Sequence, residues 1–188
     1  MDAKKVGEIV RAAEPAVRGL YFAALLAKEG RISPDDVIVV GGSAVEVYTS
    51  GGYASGDLDI VVARDKATSI LKEWGFERSG RLWAHRNWGI VVDLVKDPQD
   101  YTGSRGRTRL IETPHGSVRV EAVEDSMVRR LIQAKHWKVR GEFDLALAVA
   151  AAQQPSIDWD YAEKLARYEL VADLLAEVRA RLRRVPGR

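Results

Sequence analysis

The stretch VVGGSAVEVYTSGGYASGDLDIVV, residues 39–62, decides how the rest of the chain reads. A β-branched run from Val37 to Val40 leads into Gly41-Gly42-Ser43. Ser43-Ala-Val-Glu46 has the spacing of a capping box, which predicts a helix opening at Ser43. That helix dissolves into Gly51-Gly52 and a small-residue loop, and Leu58 to Val62 reads as the next strand. Asp57 and Asp59 stand two apart at its head, so their side chains share one face while Leu58 and Ile60 take the other. A third aspartate, Asp93, interrupts the later apolar run GIVVDLV, residues 89–95. Aspartate is depleted in strand interiors, so three of them on apolar strands need a physical reason.

A divalent cation supplies one. Carboxylates brought close together repel, and at least one is driven toward its neutral form unless a cation lies between them. Oxygen-only donors suit Mg²⁺, with Mn²⁺ as the alternative, and Mg²⁺ favours a few carboxylates plus substrate phosphates. Two such ions, about 3.5–4 Å apart, clamp the attacking and leaving oxygens of an in-line phosphoryl displacement. Gly41 and Gly42 allow close backbone approach, and the N–H groups of the helix that opens at Ser43 attract phosphate. Each element alone has a plainer explanation. Ser43 reads equally as a simple N-cap. Asp57 could end a loop, Asp59 cap a turn, and Asp93 pair with an arginine.

Taken together, residues 39–62 followed by GIVVDLV resemble the polymerase-beta-type nucleotidyltransferase superfamily, over about Val37 to Val95. The tail EDSMVRRLIQAKHWKVRGEFDLALAV, residues 124–149, is similar to that of small prokaryotic members, including abortive-infection toxin nucleotidyltransferases. Those relatives often carry a Lys followed by paired acids, where this chain has Arg130, Lys135 and Asp144. The resemblance implies an α/β (α+β) fold, a nucleotidyltransferase-type mixed sheet flanked by helices, with a helical C-terminal part. It implies that Asp57 and Asp59 hold both metal ions, and that Asp93 holds the catalytic one and helps activate the incoming hydroxyl. Gly41, Gly42 and Ser43 would bind the triphosphate of ATP or another NTP. It further implies transfer of a nucleoside monophosphate to an RNA, protein or small-molecule acceptor, and a toxin or phage-defence role with a cognate antitoxin.

Outward from this stretch, helices are expected from Val6 to Ala13 and from about Ala16 to Lys28, separated by Pro15 and stopped at Gly30. Asp65 is placed to cap a helix ending near Trp74. Strands are expected near 82–85 and 90–95, then a hairpin pairing 108–112 with 118–121 through Pro114-His115-Gly116. After Ala122 helical spacing takes over: Met127, Val128, Leu131 and Ile132 line one face, an Ala-rich helix spans about 142–152, and a long amphipathic helix carries Val171, Leu174, Leu175, Val178 and Leu182. The expected organisation is an α/β unit over 1–122 and a helical region over 123–188 packed on it.

The bulk composition bounds the function classes. In 188 residues, 46% hydrophobic content allows a packed core and 30% charged content suits a water-facing surface. The net charge of +2 gives no general attraction to nucleic acid or membrane, yet residues 105–140 hold nine Lys or Arg against four Asp or Glu. That local excess favours RNA or a protein as acceptor. Without cysteine there is neither a disulfide nor a thiolate metal site, and without a leader-like or spanning apolar segment the expectation is a cytoplasmic protein.

Lys135 continues the apolar face of its helix, so its ammonium must snorkel, find a partner or meet the triphosphate or the acids. Arg105, Arg107 and Arg109 could contact an RNA backbone or simply charge a strand edge. Trp83, Trp88 and Trp137 read better as core than as base-stacking groups. His115 reads as a turn residue, and Arg179, Arg181, Arg183 and Arg184 complement a helix C-terminus. The class that competes with an enzyme is a nucleotide-binding or regulatory module of the same fold.

Overall fold

In a computed structural model that describes residues 1–103 and 106–184, the chain divides into two units, Met1–Glu121 and Ala122–Arg188. The first runs α1 (Ala3–Ala12), α2 (Pro15–Glu29), β1 (Val37–Val39), α3 (Gly41–Tyr48), β2 (Leu58–Val62), α4 (Arg64–Glu73), β3 (Glu77–Ser79), β4 (Leu82–His85), β5 (Ile90–Lys96), α5 (Pro98–Gly103), β6 (Thr108–Thr113) and β7 (Gly116–Glu121). Among the described residues its strands form one seven-stranded mixed sheet, in the order β3-β4-β5-β2-β1-β7-β6. The β-branched strands β1 and β2 lie at its centre and pair antiparallel, Val39 opposite Ile60. Both also have a parallel neighbour, β7 beside β1 and β5 beside β2.

Local chemistry explains most of these elements. Asp2 caps α1 by accepting from the Lys4 amide at 3.2 Å. Pro15 opens α2, where its missing N–H is one of the orphans of the first turn. Helix α2 buries Leu20, Phe22, Leu25 and Leu26 and packs on β1 and β7. Phe22 meets Trp74 at 5.7 Å and Phe76 at 5.6 Å between ring centroids, and Trp88 completes the cluster edge-on to Phe76 at 5.2 Å. Trp83 and Trp88 are both buried in the core, as expected. The other sheet face buries Ile38, Val40 and Val61 under Tyr101 of α5.

His85 stacks on Trp88 with centroids 4.7 Å apart, and its Nδ1 accepts from the Asn87 amide at 3.2 Å. Burial pushes the imidazole below its usual pKa. The unfolded chain therefore binds more protons than the folded one across this range. Stability is complete above the unfolded value, about 6.5, and is lost as the pH falls toward the folded one. We expect the urea midpoint to fall on going from about pH 7 to about pH 5, and to fall less in His85→Phe. Parallel slopes for the two chains would disprove the assignment.

The second unit contains α6 (Val123–His136), α7 (Glu142–Gln153), α8 (Trp159–Tyr168) and α9 (Ala172–Arg184). Most of the stripes read from the sequence are buried, Met127, Val128 and Leu131 on α6 and Leu175, Val178 and Leu182 on α9, while Ile132 and Leu174 are only partly so. Polar ties join α6 to α8. The Asp158 amide donates to Glu124 Oε1 at 2.7 Å, and the Tyr161 hydroxyl donates to the Asp125 carboxylate at 3.2 Å. Trp137 departs from expectation: it follows α6 in an exposed segment and is 68% accessible. The expected elements leave out β3 and α5, which carry too few residues to show a period, and α8, whose ten residues bury only the small side chains of Ala162 and Ala166. No helix among the described residues is long and apolar enough to cross a membrane.

Candidate metal centre

The register of β2 on β5 sets Asp59 directly opposite Asp93. Asp57 precedes β2 by one residue and follows the same two-residue alternation, so its carboxylate joins theirs. One oxygen from each of Asp57, Asp59 and Asp93 lies within 4.8 Å of the others. Leu58 and Ile60, between and beyond the two acids, are buried. The three acids thus converge, and each also takes a plainer role: Asp57 ends the loop before β2, Asp59 Oδ2 accepts from the Gly42 amide at 3.2 Å, and Arg81 Nε lies 3.0 Å from Asp93 Oδ2.

The strand-to-helix turn is built around these acids. Gly41 adopts a left-handed φ of 63°, and a Cβ there would sit 2.2 Å from Asp59 Oδ2. A Cβ on Gly42 would sit 2.7 Å from Ser55 Oγ. Gly41 is thus required by contact as well as by conformation, and Gly42 is favoured by a contact alone. Helix α3 begins at Gly41, two residues before the predicted start, with Val40 as its cap residue and no side-chain cap. Its first donors are met instead by distant carboxylates: the Gly41 amide donates to Glu121 Oε1 at 2.9 Å and the Gly42 amide to Asp59 Oδ2 at 3.2 Å. Glu121 is fully buried and stands at the N-terminal end of α3.

Ser43 is accordingly not an N-cap. Its hydroxyl donates to the Asp57 carbonyl at 2.9 Å and accepts from the Asp59 amide at 3.2 Å. It thereby clamps both ends of the Asp-Leu-Asp segment. Ser55 Oγ donates to the same Asp57 carbonyl at 2.7 Å, and Glu46 accepts from the Ser55 amide at 3.3 Å, so the second half of the predicted capping box holds the loop instead. Asp65 is likewise no cap. Ala63 occupies that position, and the Arg64 amide is bonded to Asp97 Oδ1 at 3.2 Å. A cleft of about 210 Å³ opens beside Asp57, lined by Arg18, Ser43, Glu46, Ser55 and Gly56 among others.

Lys135 belongs to the second unit, where its Nζ donates to the Leu170 carbonyl at 2.8 Å and to Asp173 at 2.6 Å. That hydrogen bond holds the Asp173 carboxyl below its usual pKa. Arg130 pairs with Glu142 at 3.1 Å. Arg109 lies on the edge strand β6, Arg107 just before it, and Arg105 lies outside the described residues. His115 sits in the β6–β7 turn with its ring edge-on to Tyr21, and Arg181 lies over the Phe143 ring at 4.7 Å. Sequence reasoning missed Glu121 and Arg81. Their only sequence signal is a charged residue ending the apolar strand β7 and another just before the hydrophobic β4.

The donor set fits a hard divalent cation: three convergent carboxylates, no sulfur or nitrogen ligand in the group among the described residues, and a protein cation already resting on one of them. No family model matches the chain, and no curated protein matches it. Among solved structures, the chain is similar to an antigenic nucleotidyltransferase-like protein from Paracoccidioides brasiliensis, with a TM-score of 0.52 and 14% identity over 96% of this chain and 94% of that one. The architecture, a mixed sheet followed by a helical C-terminal part, is therefore a nucleotidyltransferase-like fold.

Proposed function

We propose that the chain is a Mg²⁺-dependent nucleotidyltransferase that moves a nucleoside monophosphate from an NTP to an acceptor hydroxyl and releases pyrophosphate. The observation that carries this reading is the convergence of Asp57, Asp59 and Asp93 beside the turn that opens α3. Asp57 and Asp59 would hold two ions, and Asp93 would share one of them; Mn²⁺ can take the same place. When bound, the cations supply charge neutralisation for the phosphates. The acceptor oxygen forms a bond to the α-phosphorus as the bond from that phosphorus to the bridging oxygen breaks. Asp93 would take the hydroxyl proton. Gly42 and Ser43 position Asp57 and Asp59 through the bonds described above, Gly41 leaves the room that the Asp59 carboxylate occupies, and the turn the three form is the proposed seat of the triphosphate. Phosphoryl transfer depends chiefly on positioning and electrostatics, and a rigid strand pair provides both.

The acceptor is proposed to be RNA or a protein, from the basic excess over residues 105–140. Incubating the full chain with each α-labelled NTP, Mg²⁺, total tRNA and a protein extract tests the reading. Label on one acceptor class, with an equal amount of pyrophosphate, is the expected result. Tight binding of Mg²⁺ and NTP without any labelled product would instead establish a binding module.

A further inference from the structure

The third carboxylate of the cluster carries a cation of the protein's own. Arg81 Nε stands 3.0 Å from Asp93 Oδ2, and the two partners differ sharply in freedom: the Asp93 side chain is 7% accessible and that of Arg81 77%. Asp93 lies inside β5, paired on one side with Asp59 and on the other with Leu82. Arg81 lies in the turn between β3 and β4, at the edge of the sheet, where every residue of β3 is exposed. The carboxylate is fixed and the guanidinium is free to leave. With its cation this exposed to water, the pair is worth on the order of fivefold in an equilibrium constant, enough to bias a binding event and too little to lock it.

We propose that Arg81 is a resident counter-ion that competes with the divalent cation for Asp93, and that the phosphates of an incoming nucleotide draw it away. The inference rests on the metal and nucleotide reading above and adds regulation to the same site. A cation arriving at Asp93 must displace the guanidinium or sit beside it, and like charges a few ångströms apart oppose the second course. Asp57 and Asp59 remain as ligands, so Arg81 weakens metal binding without preventing it. Phosphate oxygens match the planar fork of an arginine better than one carboxylate oxygen does. Once the guanidinium moves to them, Asp93 is released to the metal. Metal and nucleotide thereby favour one another, and by linkage each raises the affinity of the other by the same factor.

The test is calorimetric titration of Mn²⁺ into the full chain, alone and with a non-transferable α,β-methylene triphosphate, for wild type, Arg81→Gln and Arg81→Lys. Glutamine removes the charge at an exposed turn and leaves the fold intact. The expected result is that R81Q binds Mn²⁺ alone about fivefold more tightly, that R81K stays near wild type, and that the analogue raises Mn²⁺ affinity less in R81Q than in wild type. The sign is diagnostic, because damage to the site could only loosen the metal. Binding by R81Q no tighter than wild type, or an unchanged effect of the analogue, overturns the inference and leaves the carboxylate site standing. Absence of Mn²⁺ binding in all three chains overturns both.

Discussion

The double variant Asp57→Asn, Asp59→Asn is expected to lose divalent-cation binding and at least about a thousandfold of any nucleotidyl transfer, with its thermal midpoint unchanged or slightly raised. The two expectations have one cause. Asp57, Asp59 and Asp93 bring three carboxylate oxygens within 4.8 Å of one another, an arrangement that costs the fold free energy through repulsion. Removing two charges relieves that cost and removes the ligands together. Asparagine keeps an oxygen for the Gly42 amide, which donates to Asp59 Oδ2 at 3.2 Å, so the opening of α3 stays intact. A calorimetric Mn²⁺ titration beside a melting curve separates the outcomes. Metal bound by the double variant with wild-type affinity would show that these acids are not the ligands.

Gly41→Ala is expected to combine backbone strain with a steric clash at the acidic cluster. Its φ of 63° lies in the left-handed region, which costs a non-glycine residue about 1–2 kcal/mol. The added Cβ would also stand 2.2 Å from Asp59 Oδ2 and 2.9 Å from its Cγ, so the carboxylate must turn away. Asp59 then leaves both the Gly42 amide and the position opposite Asp93. We expect a total loss of about 2–3 kcal/mol, a midpoint lower by roughly 5–10 °C, and metal affinity or transfer reduced about a hundredfold. Gly42→Ala serves as the comparison. Its backbone is ordinary and its nearest contact is a serine hydroxyl at 2.7 Å, which can rotate. Equal behaviour of the two variants would disprove the special place given to Gly41.

These two expectations differ in where their grounds come from. The acid pair was legible in the chain because strand alternation is a local property: residues two apart share a face whatever lies around them. The same holds for the β-branched runs of β1 and β2 and for the apolar stripes of α6 and α9. The start of α3 was misread for a reason that is equally physical. Ser43 and Glu46 have capping-box spacing, but the Gly41 amide finds Glu121, 80 residues away, and Ser43 is used instead to hold Asp57 and Asp59. Asp65 was misread likewise, because Asp97 comes from β5's end to meet the Arg64 amide. A cap is decided by whichever acceptor arrives, and sequence spacing sees only the near ones.

The chain's own order of residues determined that Asp57 and Asp59 face one way, that Asp93 sits in an apolar strand, and that two glycines follow the first strand. Backbone alternation and steric limits operate over a few residues, so such features survive in any fold that contains them. Only the tertiary structure decided that β5 lies beside β2 in the register that sets Asp93 against Asp59, and that Arg81 rests on that carboxylate. Strand pairing and ion pairing join positions tens of residues apart, and their partners are selected by packing of the whole sheet, which no local pattern encodes.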